Sequence, residues 1–323
     1  MAVKTRFLII SDTHGEAVSG IHNIPVADVA IHCGDLTEES HFQEFRKTLD
    51  LLRSIKAPLK LVIAGNHDFT MDTPTFEKKI SESEALDPEL VRKFYGDYDE
   101  ARQLFEDARA DGIVLLNEGT HSFNLDNGAA MTVYASPFTP SLNGGGFQYH
   151  PEQGHNFTIT EGVDVVITHG PPRGIMDYTD QNRRAGCSKL FAAVARARPR
   201  LHCFGHIHEG WGAKLAIWRE QISETPSHFT DIYHSKSVIV KTLSDLEQSL
   251  VNSPEIERNK MQEKSRFHQQ GYIGTSHCTG DQAPLQAGSQ TLFVNAAIEG
   301  VTEEYPRHLP WLVDIELPLA SKN

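Results

Sequence analysis

The sequence predicts a layered α/β fold. Short apolar runs, which are typical of buried strands, alternate along the chain with amphipathic stretches, which are typical of surface helices. Strands that are followed by helices pack as sheets covered by helical layers. The apolar runs that carry this prediction are residues 6–10, 28–33, 59–65, 164–170 and 200–205.

Three amphipathic stretches predict helices, at residues 37–55, 97–112 and 187–199. In the first, apolar residues recur every three or four positions, and Thr37 is placed to cap its start. Residues 120–137 predict a β-hairpin, because an Asn-Gly pair separates two strand-like segments.

Two stretches interrupt this alternation. Residues 137–157 form a Gly- and Pro-rich loop that is longer than a connection needs, and such loops often carry function. Residues 214–290 are polar and mixed in charge, before the chain returns to two strand-like runs at 291–298 and 311–317. We interpret residues 1–323 as a single domain in which 214–290 is a polar, partly mobile insertion.

The overall charge limits the choice of partners. The 323 residues include 30 Lys and Arg against 43 Asp and Glu, for a formal net charge of −13. Such a protein repels a phosphate backbone, so bulk nucleic acid is not an expected partner, whereas a local cationic site still admits a small phosphorylated substrate.

The cysteines and the apolar content narrow the class further. The four cysteines form no CxxC pair, which predicts neither a disulfide framework nor a thiolate zinc site. No signal-peptide pattern opens the chain, and no apolar run reaches the roughly 18 residues of a membrane helix. We therefore expect a cytoplasmic protein with no membrane contact, whose oligomeric state the sequence leaves open.

Polar residues suited to metal binding and acid–base chemistry follow each of the five predicted strands. The carboxyl ends of strands in an open α/β sheet form the usual ligand-binding edge, so these residues are expected to converge there. Each cluster lies beside a glycine, which lets the backbone turn sharply. The residues are Asp12, His14, Asp35, Asn66, His67, Asp68, His169, His206 and His208.

Seven of these side chains are candidate metal ligands. Nitrogen and oxygen donors without a thiolate suit manganese, iron, zinc or cobalt, of which we expect manganese first. Seven ligands are too many for one such ion and fit two divalent ions that share a bridging carboxylate. Two such ions would leave net positive charge where a phosphoryl group could bind. The candidates are Asp12, His14, Asp35, Asn66, His169, His206 and His208.

The order of the motifs resembles a known family. "DTH", "GDLT", "GNHD", "THGPP" and "GHIH" follow one another over residues 12–208, as in the calcineurin-like metallophosphoesterase superfamily. "THGPPRGIMD" and "FGHIHEGWG" resemble its metallophosphoesterase domain-containing, class III phosphodiesterase-like branch. The resemblance implies a four-layer αββα sandwich of two mixed β-sheets flanked by helices. Some members of this branch lack the first histidine of "GHIH", but His206 is present here, so a complete site is expected.

The resemblance also implies a role for each residue. Asp12, His14 and His208 would hold the first metal, Asn66, His169 and His206 the second, and Asp35 would bridge them. A metal-bound hydroxide would attack phosphorus. His67 would protonate the leaving oxygen as general acid, and Asp68 would orient the His67 ring.

These roles predict a metal-dependent phosphohydrolase, with a phosphodiesterase acting on small nucleotide-like diesters favoured. A phosphomonoesterase or a phosphoprotein phosphatase is an alternative, because a fold does not fix its substrate. A nucleotide-binding regulatory module with weak catalysis is an alternative of another class, and the intact His67 and His206 argue against it.

Five residues are candidate substrate contacts. Asn66 and His67, which belong to the "GNHD" motif, would contact the phosphate. Phe147 and Tyr149 in the glycine-rich loop would either stack on a base or cover the core, and Arg173 follows the "THGPP" motif closely enough to line the pocket.

Overall fold

The computed structural model describes residues 2–83, 87–249, 251–302 and 305–321. Two large mixed β-sheets pack face to face, and helices cover the outer face of each. The elements are β1 Ala2–Ile10, β2 Val29–His32, α1 Phe42–Ser54, β3 Leu59–Val62, α2 Thr73–Glu82, α3 Pro88–Tyr95, α4 Glu100–Asp107, β4 Ile113–Leu115, β5 Gly119–Asn124, β6 Ala130–Ser136, β7 Thr139–Pro140, β8 Gln148–Tyr149, β9 Val165–Thr168, α5 Ser188–Ala197, β10 Leu201–Phe204, β11 Gly212–Ile217, α6 His228–Asp231, β12 Val238–Thr242, α7 Pro254–Gln270, β13 Ile273–Ser276, β14 Gln290–Asn295, β15 Glu299–Thr302, β16 Tyr305–Arg307 and β17 Trp311–Pro318.

Both sheets mix parallel and antiparallel pairs. In the first sheet the strand order is β13-β17-β1-β2-β3-β4, with β1 to β4 mutually parallel and β17 antiparallel to β1. In the second sheet the order is β12-β11-β14-β10-β9-β6-β5, with β14, β10, β9 and β6 parallel. The parallel strands of each sheet therefore all end at one edge, from which the loops of the motifs emerge.

Alternating side chains of the strands fill the layers between them. On β1, Phe7 and Ile9 belong to the core between the two sheets, whereas Leu8 and Ile10 pack toward the helices outside the first sheet. This alternation follows from the two-residue period of a strand. On the other side, Phe191 of α5 belongs to the layer that covers the second sheet. The predicted αββα sandwich is confirmed.

The first helix begins later than predicted. α1 starts at Phe42 rather than at residue 37, and Thr37 does not cap it, because its hydroxyl donates a hydrogen bond to the Asp68 carboxylate at 2.7 Å. Ser40, between them, has a positive φ of 59°, which a right-handed helix does not accept. The preceding residues therefore serve the strand-end loop instead of the helix.

Other elements match the sequence predictions to different degrees. The predicted helix 97–112 divides into α4 and a short 3₁₀ turn, and the predicted hairpin is formed by β5 and β6. The helices α2 and α3 are absent from the sequence predictions; no residue of α3 is buried, so its sequence carries little core signal. Residues 214–290 contain the end of β11, then α6, β12, α7, β13 and the first residue of β14, with residue 250 outside the described chain. The mobility of this segment and the single-domain interpretation stay predictions.

Across residues 2–83, 87–249, 251–302 and 305–321, no helix combines the length and the apolar character needed to cross a membrane.

Candidate metal centre

The strand ends bring the predicted ligands together. Three strands of the first sheet (β1, β2 and β3) and two of the second (β9 and β10) each deliver their motif to the shared edge. There the predicted ligands form two compact groups, within each of which the possible ligand atoms lie no more than 4.8 Å apart, and a third group of the same kind joins His14 to Glu38 and His67. The first group is Asp12, His14 and His208, and the second is Asp35, His169 and His206.

The first group combines one carboxylate with two imidazoles. Nε2 of His208 lies 3.4 Å from Oδ1 of Asp12, and the rings of His14 and His208 have their centroids 5.7 Å apart. Asp12 is fully buried and its carboxylate accepts hydrogen bonds from the backbone N–H of His206, at 3.0 and 3.1 Å to its two oxygens.

The second group is centred on His169. Its Nδ1 lies 2.9 Å from the carbonyl oxygen of Cys33, so Nδ1 carries the proton that it donates. Its Nε2 is then free for the site, 3.2 Å from Oδ2 of Asp35 and 3.0 Å from Oδ1 of Asn66. A histidine that donates its other N–H to a backbone carbonyl is held in the tautomer and orientation that metal binding needs.

The backbone of the site is strained. Four predicted ligands have φ values in the left-handed region that favours glycine, a conformation that costs an L-residue about 1–2 kcal/mol. These residues are Asp12 at 51°, His14 at 50°, Asp35 at 51° and His206 at 66°. Because such strain persists only where the surrounding structure enforces it, its concentration here marks these loops as functional.

Two glycines permit the close approach of the loops. A Cβ atom on Gly205 would overlap the Asp12 carboxylate, and one on Gly65 would overlap the Asp35 carboxylate and crowd the His169 ring. Gly205 also donates its backbone N–H to the carbonyl of His169 at 3.0 Å. The glycines of the motifs therefore set how tightly the two groups can pack.

Neighbouring histidines outweigh the burial of the two carboxylates. Burial alone would raise the pKa of Asp12, but the hydrogen bond and charge of His208 hold it below its ordinary value. Burial would likewise raise the pKa of Asp35, but the charge of His169 lowers that pKa well below its usual range. Burial and the charge of His169 instead lower the pKa of His206 to about 4. Ionised carboxylates thus face a neutral His206.

This donor set fits divalent metal ions. Each group supplies carboxylate oxygen and imidazole nitrogen, the ligands that manganese, iron, zinc and cobalt accept. Both ring nitrogens of His14 are buried and make no well-formed hydrogen bond within the described chain, although carboxylates lie at ion-pair distance. A buried polar atom without such a partner is rare unless an ion or ligand completes it.

His67 lies at the rim of the first group. Its ring centroid is 4.8 Å from that of His14, and its side chain is 36% exposed. Its Nδ1 lies 2.7 Å from the carbonyl oxygen of Glu38, while its backbone N–H donates to Oδ1 of Asp35 at 2.9 Å. The ring is therefore anchored at Nδ1, which leaves Nε2 to exchange a proton.

Asp68 does not orient His67, contrary to the sequence prediction. The buried Asp68 carboxylate accepts hydrogen bonds from the backbone N–H groups of Leu36, Thr37 and Gly65 and from the Thr37 hydroxyl. A fully buried carboxylate must be satisfied, and these donors satisfy it without the His67 ring. Asp68 ties the loops after β2 and β3 together, and the Glu38 carbonyl holds the His67 ring.

The three predicted substrate contacts outside the motifs differ from one another. Phe147 is 6% exposed and packs against Phe138 in the layer outside the first sheet, so it covers the core rather than a substrate. Tyr149 is half-buried and Arg173 is exposed. In the described chain neither forms a hydrogen bond, ion pair or ring contact with a predicted ligand, and their role stays a prediction.

The glycine-rich loop nevertheless reaches the site through its backbone. Gly146 donates its N–H to the carbonyl of Asn66 at 2.8 Å, and a Cβ on Gly145 would crowd the same residue. The loop thus helps to position Asn66.

Two buried histidines that sequence reasoning missed support the ligand loops. Nε2 of His32 lies 2.8 Å from the hydroxyl of Thr13, and Nε2 of His202 lies 2.9 Å from that of Thr168. Thr13 separates two predicted ligands and Thr168 precedes His169. The signal was available, since each histidine interrupts an otherwise apolar strand.

Two glutamates, also missed, lie against His14. Oε2 of Glu38 is 2.6 Å from its Nδ1, and Oε2 of Glu299 is 2.9 Å from its Nε2. Glu38 belongs to the "GDLTEES" stretch and could have been noticed there. Glu299 follows the last motif by some ninety residues, and no sequence pattern connects it to the site.

Comparison with known proteins agrees with this arrangement. Residues 5–210, which carry every predicted ligand, match the model of the calcineurin-like phosphoesterases. The chain belongs to the calcineurin-like phosphoesterase family. The resemblance inferred from the motifs is therefore confirmed, and members of this family are metal-dependent phosphoric ester hydrolases.

Two known proteins are similar to 64% of the chain. Metallophosphoesterase domain-containing protein 1 of Homo sapiens is 35% identical over 214 residues, which are 64% of this chain and 62% of that protein. A Caenorhabditis elegans protein described as UPF0046 protein T07D4.2 is 34% identical over 217 residues, covering 64% of this chain and 52% of its own length. The chain thus spans less than two thirds of the length of these relatives.

Among solved structures, TT1561 of Thermus thermophilus is similar at a TM-score of 0.40. It is 11% identical, and the similarity covers 62% of this chain and 81% of that one.

Proposed function

We propose that this chain is a metal-dependent phosphoester hydrolase that prefers small diesters, nucleotide-like ones among them. The observation that carries the proposal is the pair of ligand groups, with Asp12, His14 and His208 on one side and Asp35, His169 and His206 on the other. Family membership supports hydrolysis, and the resemblance of the motifs to the class III phosphodiesterase-like branch supports a diester.

The ligand groups would hold two divalent ions, manganese first among the candidates. Asp12, His14 and His208 would bind one ion, Asn66, His169 and His206 the other, and Asp35 would bridge them. Such ions act as Lewis acids on phosphoryl oxygens and lower the pKa of bound water. The chain's own part is to present these donors in a fixed geometry, which the strained loops and the backbone hydrogen bonds to the carboxylates supply.

His67 would give a proton to the leaving oxygen. The Glu38 carbonyl retains the proton on Nδ1, so the proton that passes to a substrate would lie on Nε2. The partial exposure of the His67 side chain lets a substrate reach that nitrogen. General acid catalysis of this kind contributes about 10²–10⁴ in rate.

Asn66 would serve both the ion and the substrate. Its Oδ1 faces Nε2 of His169, which leaves its amide N–H groups available to a phosphoryl oxygen. The native metal, the cytoplasmic location and the oligomeric state stay open predictions.

The test is turnover of a chromogenic phosphodiester and of the matching monoester, with and without added manganese. The proposal predicts manganese-dependent hydrolysis with the higher kcat/KM for the diester. A higher value for the monoester would favour the phosphomonoesterase or phosphoprotein phosphatase alternative. Hydrolysis of neither, together with calorimetric binding of a nucleotide, would replace the proposal with the regulatory module.

A further inference from the structure

Two glutamates flank His14, one at each ring nitrogen. The side chains of Glu38 and Glu299 are about half exposed, at 50% and 46%, and both carboxylates lie within 3 Å of the ring. Glu38 follows β2 inside the family-matched segment, whereas Glu299 opens β15, well beyond residue 210. Neither belongs to the predicted ligand set.

The backbone fixes Glu299 at the site. Ala297 forms a β-bridge with Ser11, and the N–H of Ile298 donates to the carbonyl of Ser11 at 2.8 Å. The N–H of Glu299 itself donates to the carbonyl of Asp12 at 3.1 Å. The C-terminal part of the chain therefore runs alongside the first motif, and the Glu299 carboxylate meets His14 because of this register.

The partners of these glutamates are imidazoles, as they are for Glu44 and Glu118 elsewhere in the described chain. In the described chain, their ion pairs are made with histidines, Glu38 with His14 and His67 and Glu299 with His14. By contrast, an exposed carboxylate such as Glu106 is paired with a guanidinium, that of Arg109. The negative charges of Glu38 and Glu299 thus remain directed at the site.

These charges alter the balance at the centre. Two divalent ions carry four positive charges, and the buried Asp12 and Asp35 offset two of them. Glu38 and Glu299 offset the remaining two at neutral pH. A phosphodiester carries one negative charge, whereas a phosphomonoester approaches two near neutral pH, because its second pKa is about 6. The second negative charge of a phosphomonoester therefore gains little attraction from the metal ions, and the two nearby carboxylates repel it.

We propose that Glu38 and Glu299 select substrates by charge at this centre. They disfavour dianionic phosphomonoesters relative to monoanionic phosphodiesters. The inference rests on the proposed function and assigns its diester preference to two residues. Each glutamate changes discrimination by about threefold to tenfold, as expected for a unit charge at roughly 6 Å in a partly solvated site. Removing both changes it by about tenfold or more, less at high salt.

The experiment compares Glu38→Gln, Glu299→Gln and the double variant with Glu106→Gln, which removes the same charge at a distant surface. Glutamine keeps the size of the side chain, so folding is expected to survive, and thermal unfolding checks this. On the manganese-loaded proteins at pH 8, calorimetry measures the binding of inorganic phosphate, a dianion, and of dimethyl phosphate, a monoanion. The kcat/KM ratio of a chromogenic diester to its monoester is measured in parallel.

The inference predicts that the double variant binds inorganic phosphate about tenfold more tightly relative to dimethyl phosphate, with the diester preference reduced by a similar factor. The single variants fall between, and Glu106→Gln matches the parent. An unchanged affinity ratio in the double variant would overturn the inference. So would loss of manganese from Glu38→Gln or Glu299→Gln by elemental analysis, because that residue would then be a ligand. The control matters most for Glu38, whose carboxylate lies within 4.8 Å of possible ligand atoms of His14 and His67. A shifted affinity ratio without turnover of either ester would refute the proposed function while keeping the charge role.

Discussion

The two sheets contribute differently to the candidate centre. The loops of the first sheet supply every carboxylate and the amide of the predicted ligand set, whereas those of the second sheet supply imidazoles alone. Asp12, His14, Asp35 and Asn66 come from the first sheet, and His169, His206 and His208 from the second. Negative charge is thus concentrated in one half, while the other half contributes imidazoles.

Each half is nevertheless held by the backbone of the other. The N–H of His206 binds the Asp12 carboxylate across the site, and the carbonyl of Cys33 receives Nδ1–H of His169. The packing of the two sheets is therefore itself the scaffold of the centre. Substitutions that remove charge should therefore act on the whole centre, and substitutions that remove an imidazole should act on one side.

The largest effect is expected for Asp35→Asn, which removes the charge shared between the groups. We predict loss of both ions and a fall in turnover on the order of 10³ or more, because the remaining ligands cannot compensate two divalent charges. His206→Ala is the matched change in the second sheet and should weaken one ion only. Elemental analysis of both variants after manganese loading measures this difference. Equal metal content in the two variants would break the comparison.

The next effect is expected for His67→Ala, which removes a residue of the first sheet that is not a ligand. Both ions should remain, while turnover falls by about 10² because the leaving oxygen loses its proton donor. The loss should shrink for substrates whose leaving group is already acidic and needs no proton. Release of metal from this variant would mean that His67 is a ligand.

A smaller effect is expected for Gly205→Ala, which tests the contact between the halves. Its Cβ would overlap the Asp12 carboxylate, so the free energy of unfolding should fall by about 1–3 kcal/mol. Turnover should fall by about tenfold to a hundredfold as the ligands move apart. Gly274→Ala, whose Cβ would make only ordinary contact, is the control. If denaturant unfolding and activity assays find no difference between the two variants, the close approach of Gly205 to Asp12 is not required for the centre.

Much of this arrangement is readable from the sequence, and the reason is local. The five apolar runs predict strands, and parallel strands put their following residues at one edge, so the gathering of Asp12 and Asp35 at the edge of the first sheet needs no tertiary information. The layered core follows equally, since alternation on a strand such as β1 sorts Phe7 and Leu8 to opposite faces.

The features that escaped prediction depend on long-range contacts. Glu299 reaches His14 only because its strand segment pairs beside Ser11, a register that no local pattern encodes. Its position next to His67 in the sequence predicts that Asp68 orients that ring. The buried Asp68 carboxylate instead accepts hydrogen bonds from the backbone of the loop after β2. Phe147 was similarly ambiguous, because an aromatic residue in a loop serves a core and a pocket equally well.

Another predicted effect concerns acid stability and treats both halves alike. Burial lowers the pKa of His32 and of His202 to about 3, whereas the unfolded side chains titrate near 6.5. Below pH 6.5 the unfolded state binds more protons, so stability is complete above that pH and falls as pH decreases toward 3. The expected loss is about 1 kcal/mol per pH unit for each residue.

His202→Gln tests this, because its amide can still donate a hydrogen bond to Thr168 but does not titrate. The slope of unfolding free energy against pH between 4 and 6 should be shallower in this variant than in the parent. Identical slopes would show that His202 is not held neutral.

The most direct test of the account is the metal content of the purified protein, measured by elemental analysis after manganese loading and removal of free ions. Two groups of ligands that each bind one ion predict about two manganese ions per chain, retained by the parent and lost from Asp35→Asn. If the correctly folded parent retains no metal, the metal centre is wrong, and so is the function proposed from it.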